Sequence, residues 1–404
     1  MITSQSRKEL IFLISCMLGG GAERIMISLA NAAVDKGYGV SFILTSQSIN
    51  EAVGYSLDKR INFFSLCDSE YTKQTKSIKI KLMKKYGNLV NGFCKHFELQ
   101  VPDSAVYCRF ASAQSEKIEA LYNIIYKNPN ATVIAFLDNA IQIALLAMKE
   151  LPNKLIISER GDPSKHDSSK AASLFIRKYY KRANIIVFQT EDAKKYFDKE
   201  IQKKCVIIPN PIKDGLPERY IGERKKIIVN YCRVSFQKNI PLLIEAFNIF
   251  KCNHIDYTLE IIGEANSTEA IGIVQECQKL IKKYGLEESV KFKPFDPNLH
   301  EKIKDYSMFV SSSDFEGMSN SMLEAMAIGL PTICTDCPSG GARAVIKNGE
   351  NGLLTKVGDM YSIANAMSLV ADNHKLAELL SSNAAKISKS LSRNTILSRW
   401  ESLY

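Results

Sequence analysis

Four charged residues carry the chemistry most legible in this chain. Glu316 and Glu324 stand eight positions apart within VSSSDFEGMSNSMLEAMAIGL, residues 310–330. Its apolar start predicts a strand, the serines with Asp314 a polar loop, and the apolar run from Met322 a short helix that holds Glu324. Ser319 or Ser321 is placed to cap that helix, and Gly329 followed by Pro331 to stop it. The amides around Gly317, Met318, Ser319 and Asn320 then face outward toward an anion, most naturally a phosphate. The two glutamates are about two helical turns apart, one in the loop and one in the helix, so they can grip different parts of one long ligand. Arg233 and Lys238 flank a second turn, between an apolar strand over 227–231 and a helix that Pro241 can open. Two fixed cations there suit a ligand on which negative charge builds as a bond breaks.

The sixteen residues from Glu316 to Pro331, E-G-x-S-x-x-x-L-E-A-M-A-x-G-x-P, resemble the E-x7-E signature of the family 4 retaining glycosyltransferases. The resemblance implies a GT-B fold: two Rossmann-like, doubly wound parallel-sheet domains facing across a cleft, with a C-terminal helix crossing back to the first. It places Glu316 beside the donor sugar in a catalytic role and Glu324 on the ribose of the nucleotide. Arg233 and Lys238 match the family's basic element, which ends in Lys-Asn, except that Cys232 stands where a glycine or small residue is usual. By resemblance they hold the diphosphate. Met17 to Glu23 reads MLGGGAE after a strand over 10–15, and its glycines allow close backbone approach at a helix start, although the spacing is not the dinucleotide fingerprint G-x-G-x-x-G. The family's GGAE-like loop implies that Gly20 and Gly21 face the donor and acceptor. Phe295, in the turn after a strand over 290–292, is placed by the resemblance near the base, with a core contact as the alternative.

Glu159-Arg160-Gly161-Asp162-Pro163 forms a charged turn at the end of another predicted strand. Many relatives have histidine where Arg160 stands, so its role is not carried over by analogy. Arg160 is a candidate catalytic group on the donor phosphates or sugar, and Asp162 a candidate to orient the acceptor hydroxyl; the alternative is a pair that only braces the loop. No D-x-D triplet occurs, so the expectation is a metal-independent enzyme without cofactor. The expected donor is a nucleotide sugar, a UDP-hexose or UDP-N-acetylhexosamine. The expected acceptor is a glycan, lipid-carrier-linked, of the capsule or O-antigen type.

A chain of 404 residues must position these groups, and it is too long for one ordinary core. Predicted strands over 61–66, 132–137, 154–158, 184–189 and 205–209 alternate with helices, which implies parallel, doubly wound sheets. The stiff Ile207-Ile208-Pro209-Asn210-Pro211-Ile212 and the polar stretch behind it set a boundary. The expected division is an acceptor-side domain over 1–212, a donor-binding domain over 213–390, and a helix over 391–404 in which Ile396, Leu397, Trp400 and Leu403 recur at helical spacing. Single helices are expected over 362–370 and 375–391. The first domain carries an insertion at about 67–131, with a helical pattern near 111–126.

Apolar residues make up 46% and charged residues 24%, the balance of a soluble globular protein. No apolar run approaches a membrane span, and the start shows no cleavage-site pattern, so the expected location is cytoplasmic. Ten cysteines are read as scattered without C-x-x-C or Cys/His ligand spacing, hence as buried or free thiols in a reducing compartment, with zinc not expected. Net charge is +10, yet no nucleic-acid motif accompanies it, so nucleic acid is not an expected partner. Lys73, Lys76, Lys79, Lys81, Lys84 and Lys85 interleave with Ile78, Ile80, Leu82 and Met83, which fits peripheral contact with an anionic membrane surface at the inner face. The alternative is a solvated helix face with its apolar stripe packed inward. A non-catalytic GT-B subunit and a GT-B epimerase or phosphorylase are the rival functions; the intact Glu316, Glu324, Arg233 and Lys238 speak against the first.

Overall fold

The computed structural model describes residues 8–52, 57–68, 78–97, 99–168 and 170–404, so Lys73 and Lys76 lie outside the described residues. The chain divides into two compact units. One takes in Met1–Gln189, Ala193–Ile208 and Leu397–Tyr404; the other takes in Thr190–Asp192 and Pro209–Ile396.

In the first unit, seven strands form one sheet: β1 (Glu9–Ile14), β2 (Gly39–Leu44), β3 (Asn62–Ser65), β4 (Thr132–Phe136), β5 (Leu155–Ser158), β6 (Ile185–Phe188) and β7 (Cys205–Ile207). Their order is β3-β2-β1-β4-β5-β6-β7, with every neighbouring pair parallel. After their polar first residues, Glu9 and Thr132, the runs ELIFLI and TVIAF are apolar because helices cover both faces of such a sheet. The helix Asp138–Ala147 shows the consequence: from Ala140 to Ala147 every residue is buried.

The second unit repeats the plan with β8 (Lys225–Tyr231), β9 (Thr258–Ile262), β10 (Val290–Lys293), β11 (Tyr306–Ser311), β12 (Thr332–Thr335) and β13 (Leu353–Thr355). The order is β10-β9-β8-β11-β12-β13, again all parallel. Each sheet therefore reverses its winding once, at β1/β4 and at β8/β11. Beyond the carboxyl ends of such a strand pair the loops diverge and leave room for a ligand. The loop with Arg233 and Lys238 follows β8, and the loop with Glu316 follows β11. Two stretches about 80 residues apart are thus brought side by side.

Several local expectations change. The pattern near 111–126 resolves into Asp103–Ala113 and Ser115–Tyr126, separated at Gln114, and a further helix, Ile78–His96, precedes them. Residues 375–391 form two helices, His374–Ala384 and Ile387–Ser390, because i+3 bonds such as Lys386 N–H to the Asn383 carbonyl tighten the chain between them. Of the apolar residues weighed for the solvated-face alternative, Leu82 is exposed and Met83 half-buried, while the side chains of Ile78 and Ile80 lie outside the described residues.

The end of the chain is fixed within the first unit. The helix Arg393–Glu401 carries Trp400, wholly buried, with its ring 5.3 Å from that of Phe136. The guanidinium of Arg160 lies 5.2 Å from the Phe136 ring and 6.0 Å from Trp400. Glu401 pairs with Lys36, and Tyr404 meets Tyr38 edge-on at 5.6 Å. Trp400→Ala should cost about 3–5 kcal/mol, the scale for a large aromatic cut from a core. Denaturant unfolding followed by a probe in the first unit measures it, and a loss under 1 kcal/mol would show that the tail is only loosely held.

Candidate active site

In the second unit the β8 and β11 loops are fastened together backbone to backbone. The Asp314 amide donates to the Gln237 carbonyl at 2.9 Å, and the Ser312 hydroxyl reaches the carbonyls of Lys238 and Asn239, each at 3.0 Å. Asn239 takes a left-handed conformation, φ 43°, which its short side chain tolerates. That side chain works at both ends: Oδ1 accepts from the Leu242 amide and caps the next helix, while Nδ2 donates to Asp314 Oδ1 at 2.8 Å. The sequence marked Asp314 only as a loop residue and Asn239 only as the end of the basic element, and it gave no sign that they and Ser312 fasten the two loops together, since their types are ordinary for loops.

Within this frame Lys238 forms an ion pair with Glu316. Both side chains are largely withdrawn from water, 15% and 22% exposed. Burial works against the Lys238 ammonium, but the Glu316 carboxylate outweighs it and holds the lysine pKa above its ordinary value. The stabilisation is therefore complete below the ordinary lysine value and fades only as pH rises through the raised one. Arg233 is exposed on the same loop. Burial pushes the neighbouring Cys232 thiol up to about 11, so it remains protonated at neutral pH.

The helix after the β11 loop runs Asn320–Ala327, with Ser319 as its cap: the Met322 amide donates to Ser319 Oγ at 3.5 Å. That first-turn amide is therefore taken. Gly329, φ 72°, ends the helix as its position before Pro331 suggested. Glu316 precedes the helix by four residues, so the spacing to Glu324 is a stretch of loop plus about one turn, not two helical turns. Asn210, a residue of the stiff 207–212 segment, donates from Nδ2 to the Met318 carbonyl and to Asn320 Oδ1, both at 2.9 Å. From the other side, the Ser339 hydroxyl donates to the Glu316 carbonyl and Thr335 Oγ1 to the Ser313 carbonyl, the latter at 2.6 Å. Gly341 is demanded by contact: a Cβ there would lie 1.5 Å from the Gly317 carbonyl oxygen.

Glu324 is buried on the helix, and its Oε2 lies 3.0 Å from His300 Nε2. A carboxylate only accepts, so that nitrogen carries the proton. His300 is itself buried in the short helix Leu299–Ile303, edge-on to Tyr231, whose hydroxyl donates to the Ser321 carbonyl at 2.7 Å. Nothing in the sequence marked His300, which lies 24 residues before its partner. Phe295 is exposed at the end of β10, which removes its core-contact alternative. The cysteines hold one correction: Cys334 and Cys337 do have C-x-x-C spacing. Both are buried against this loop, where burial pushes the Cys334 thiol far up and Cys337 Sγ lies 3.3 Å from the Ser313 carbonyl, so they are packing thiols rather than reactive ones.

The remaining candidates belong to the first unit. The Glu23 carboxylate accepts from the amides of Gly20 and Leu18 at 2.7 and 2.8 Å, and Gly21 begins the helix Gly21–Asp35. The glycine loop thus wraps an anion that the chain itself supplies. Arg160 is buried, with its pKa lowered to about 9 by that burial, and donates to Ser158 Oγ at 3.3 Å. Asp162 turns to Ser164, accepting at Oδ1 from its amide and hydroxyl at 3.0 and 2.8 Å. At the end of β4, Leu137 has φ 69° and ψ 154°, a region that bulky residues avoid. Such strain at the reversal of the sheet escapes any reading of residue types.

Residues 216–387 match the family model described as glycosyl transferases group 1. Over nearly the full length, 97% of this chain and 98% of the relative, the chain is 23% identical to an uncharacterized glycosyltransferase of Haemophilus influenzae. It is 29% identical to the N-acetylgalactosamine-N,N'-diacetylbacillosaminyl-diphospho-undecaprenol 4-alpha-N-acetylgalactosaminyltransferase of Campylobacter jejuni, over 65% of this chain and 73% of that one. The structure of Anabaena HepE in complex with UDP-glucose superposes with a TM-score of 0.69 at 17% identity, covering 98% of this chain and 99% of that one. The fold is GT-B, and the residues matched by the family model lie within the second unit.

The Gly341 contact makes a clean test of the loop. Gly341→Ala should lower stability by about 1–3 kcal/mol, since overpacking against backbone has no cheap relief. Gly272→Ala, in open space on a helix, should be neutral or slightly stabilising. Thermal melts of the two variants decide it; equal midpoints would mean that the 316–318 loop yields freely.

Proposed function

We propose that this protein is a retaining, metal-independent glycosyltransferase that moves a hexose or N-acetylhexosamine from a UDP-sugar to a glycan on a lipid carrier. The observation that carries the reading is the Lys238–Glu316 pair, held between the two loops at the β8/β11 reversal. A cation and a carboxylate fixed at that point match the two needs of the reaction. Negative charge grows on the leaving diphosphate, and positive charge grows on the anomeric carbon. Lys238 and Arg233 take the first, doing for the diphosphate what a divalent ion does in metal-dependent transferases. Glu316 balances the second and orients a sugar hydroxyl. Glu324, steadied by His300, accepts from the ribose hydroxyls, and Phe295 offers an exposed ring near the base.

The donor rests on the HepE complex with UDP-glucose, and the acceptor on the undecaprenol-linked substrate in the name of the Campylobacter relative. Capsule or lipopolysaccharide synthesis at the cytoplasmic face of a membrane is the setting such an acceptor implies. No described helix is long and apolar enough to cross a membrane.

Lys238→Ala should lower turnover by roughly 10² to 10³ with the fold retained, the scale for one stabiliser of developing charge. Donor turnover within twofold of the parent would remove Lys238 from the reaction. Chelation with EDTA should leave the rate nearly unchanged, and a strict requirement for Mg²⁺ or Mn²⁺ in the chemical step would overturn the protein-only clamp.

The two glutamates separate by calorimetry beside single-turnover rates. Glu324→Ala should weaken donor binding, whereas Glu316→Gln should bind donor almost normally and turn over slowly, because only interactions stronger in the transition state speed the chemistry. Equal losses of affinity with an unchanged bound-state rate would make both of them binding groups.

A further inference from the structure

The helix Ile78–His96, in the first unit, presents an apolar stripe outward. Leu82, Tyr86, Leu89 and Phe93 are 61%, 44%, 69% and 58% exposed, and the stripe continues into Phe97 and Leu99 at 56% and 55%. At about 100° per residue, positions 82, 86, 89, 93 and 97 fall within an arc of roughly 80°. The face that packs inward is a different one. Gly87 lies against Arg109, where a Cβ would come within 2.6 Å of the arginine side chain, and Cys94 is buried. A helix that has one buried face and a second contiguous apolar face in water has not finished burying its surface.

The charge around the stripe says what would cover it. The helix sequence IKIKLMKKYGNLVNGFCKH has five lysines, at 79, 81, 84, 85 and 95, and no acidic residue. Lys81, Lys84 and Lys85 are exposed, and Lys85 borders the stripe. Two copies of this chain meeting through the face would bring like charges together, which opposes a dimer. An apolar face with Lys85 at its edge and Lys81 and Lys84 farther round an acid-free helix is the pattern of a helix lying in a membrane interface, its apolar residues in the acyl boundary and its ammonium groups toward anionic headgroups.

We infer that the Leu82–Phe97 face of this helix is the surface by which the protein docks on an anionic lipid bilayer, inserted at the interface without spanning it. The inference goes beyond the catalytic reading and stands whether or not the protein transfers a sugar, because its test needs no donor or acceptor. The whole chain is sedimented with phosphatidylcholine vesicles, with and without phosphatidylglycerol. Binding should require the anionic lipid and weaken as salt rises. Replacing Lys81, Lys84 and Lys85 together with glutamine should weaken it on the order of a hundredfold. Leu89→Gln with Phe93→Gln should weaken it at least roughly tenfold at constant charge, and circular dichroism confirms that these surface variants fold. Equal binding to neutral and anionic vesicles, or binding indifferent to the Leu89/Phe93 variant, overturns the proposal. So does a concentration-dependent dimer in sedimentation velocity that this variant abolishes, for the face would then belong to a second copy. With a soluble acceptor the variant's turnover should equal the parent's, which separates failure of docking from failure of the transferase reading.

Discussion

The ion pair between Lys238 and Glu316 is the constraint on which the second unit's ligand face depends. Each partner alone would be a poorly solvated charge in a largely buried place, and removing one leaves the other uncompensated. The surrounding hydrogen bonds make the pair possible by fixing the loops that carry it: Asp314 to Gln237, Ser312 to the Lys238 and Asn239 carbonyls, Asn239 to Asp314. None of these bonds involves Lys238 or Glu316 through its side chain, so both heads remain available to rearrange on a ligand. On the proposed reading, an arriving diphosphate would compete with Glu316 for the ammonium and free the carboxylate for the sugar.

The same logic separates site-like residues from residues already committed to structure. Glu23 spends its carboxylate on the Gly20 and Leu18 amides, so the glycine loop is filled from within. Arg160 stacks on Phe136 and Trp400, and tethers the chain terminus to the sheet of the first unit. Its burial lowers the guanidinium pKa without making it a free cation for a ligand. In the second unit Glu324 is likewise held, by His300, but on a helix that begins at the β11 loop, so that it adjoins the ligand face.

The basic residues in excess are unevenly distributed. Many of the described lysines are tied into surface pairs, such as Lys225 with Asp305 and Lys226 with Asp256, which are worth little to stability. The helix Ile78–His96 is different, since it has no acids of its own and carries its apolar stripe in the open. A net charge of +10 by itself fits several polyanions; the proposed lipid docking rests instead on this helix's combination of charge and exposed apolar area.

Sequence alone was enough for the alternation of strand and helix, for the loop and helix that carry Glu316 and Glu324, and for the basic turn at Arg233 and Lys238. Those features are local: apolar runs, caps and turn residues depend on neighbours a few positions away. The two parallel sheets follow from the same alternation. What only the tertiary structure decided are the partnerships across long separations. Lys238 meets Glu316 across 78 residues, Asn210 reaches Met318 across 108, and His300 finds Glu324 across 24. Residue type does not specify such partners, because they depend on which strands lie side by side where each sheet reverses. The burial of Arg160 against Trp400, more than two hundred residues away, and the outward turn of Leu82 and Phe93 were hidden for the same reason. A helical period in the sequence marks an apolar face, but only the packing of the other helices decides whether that face is covered.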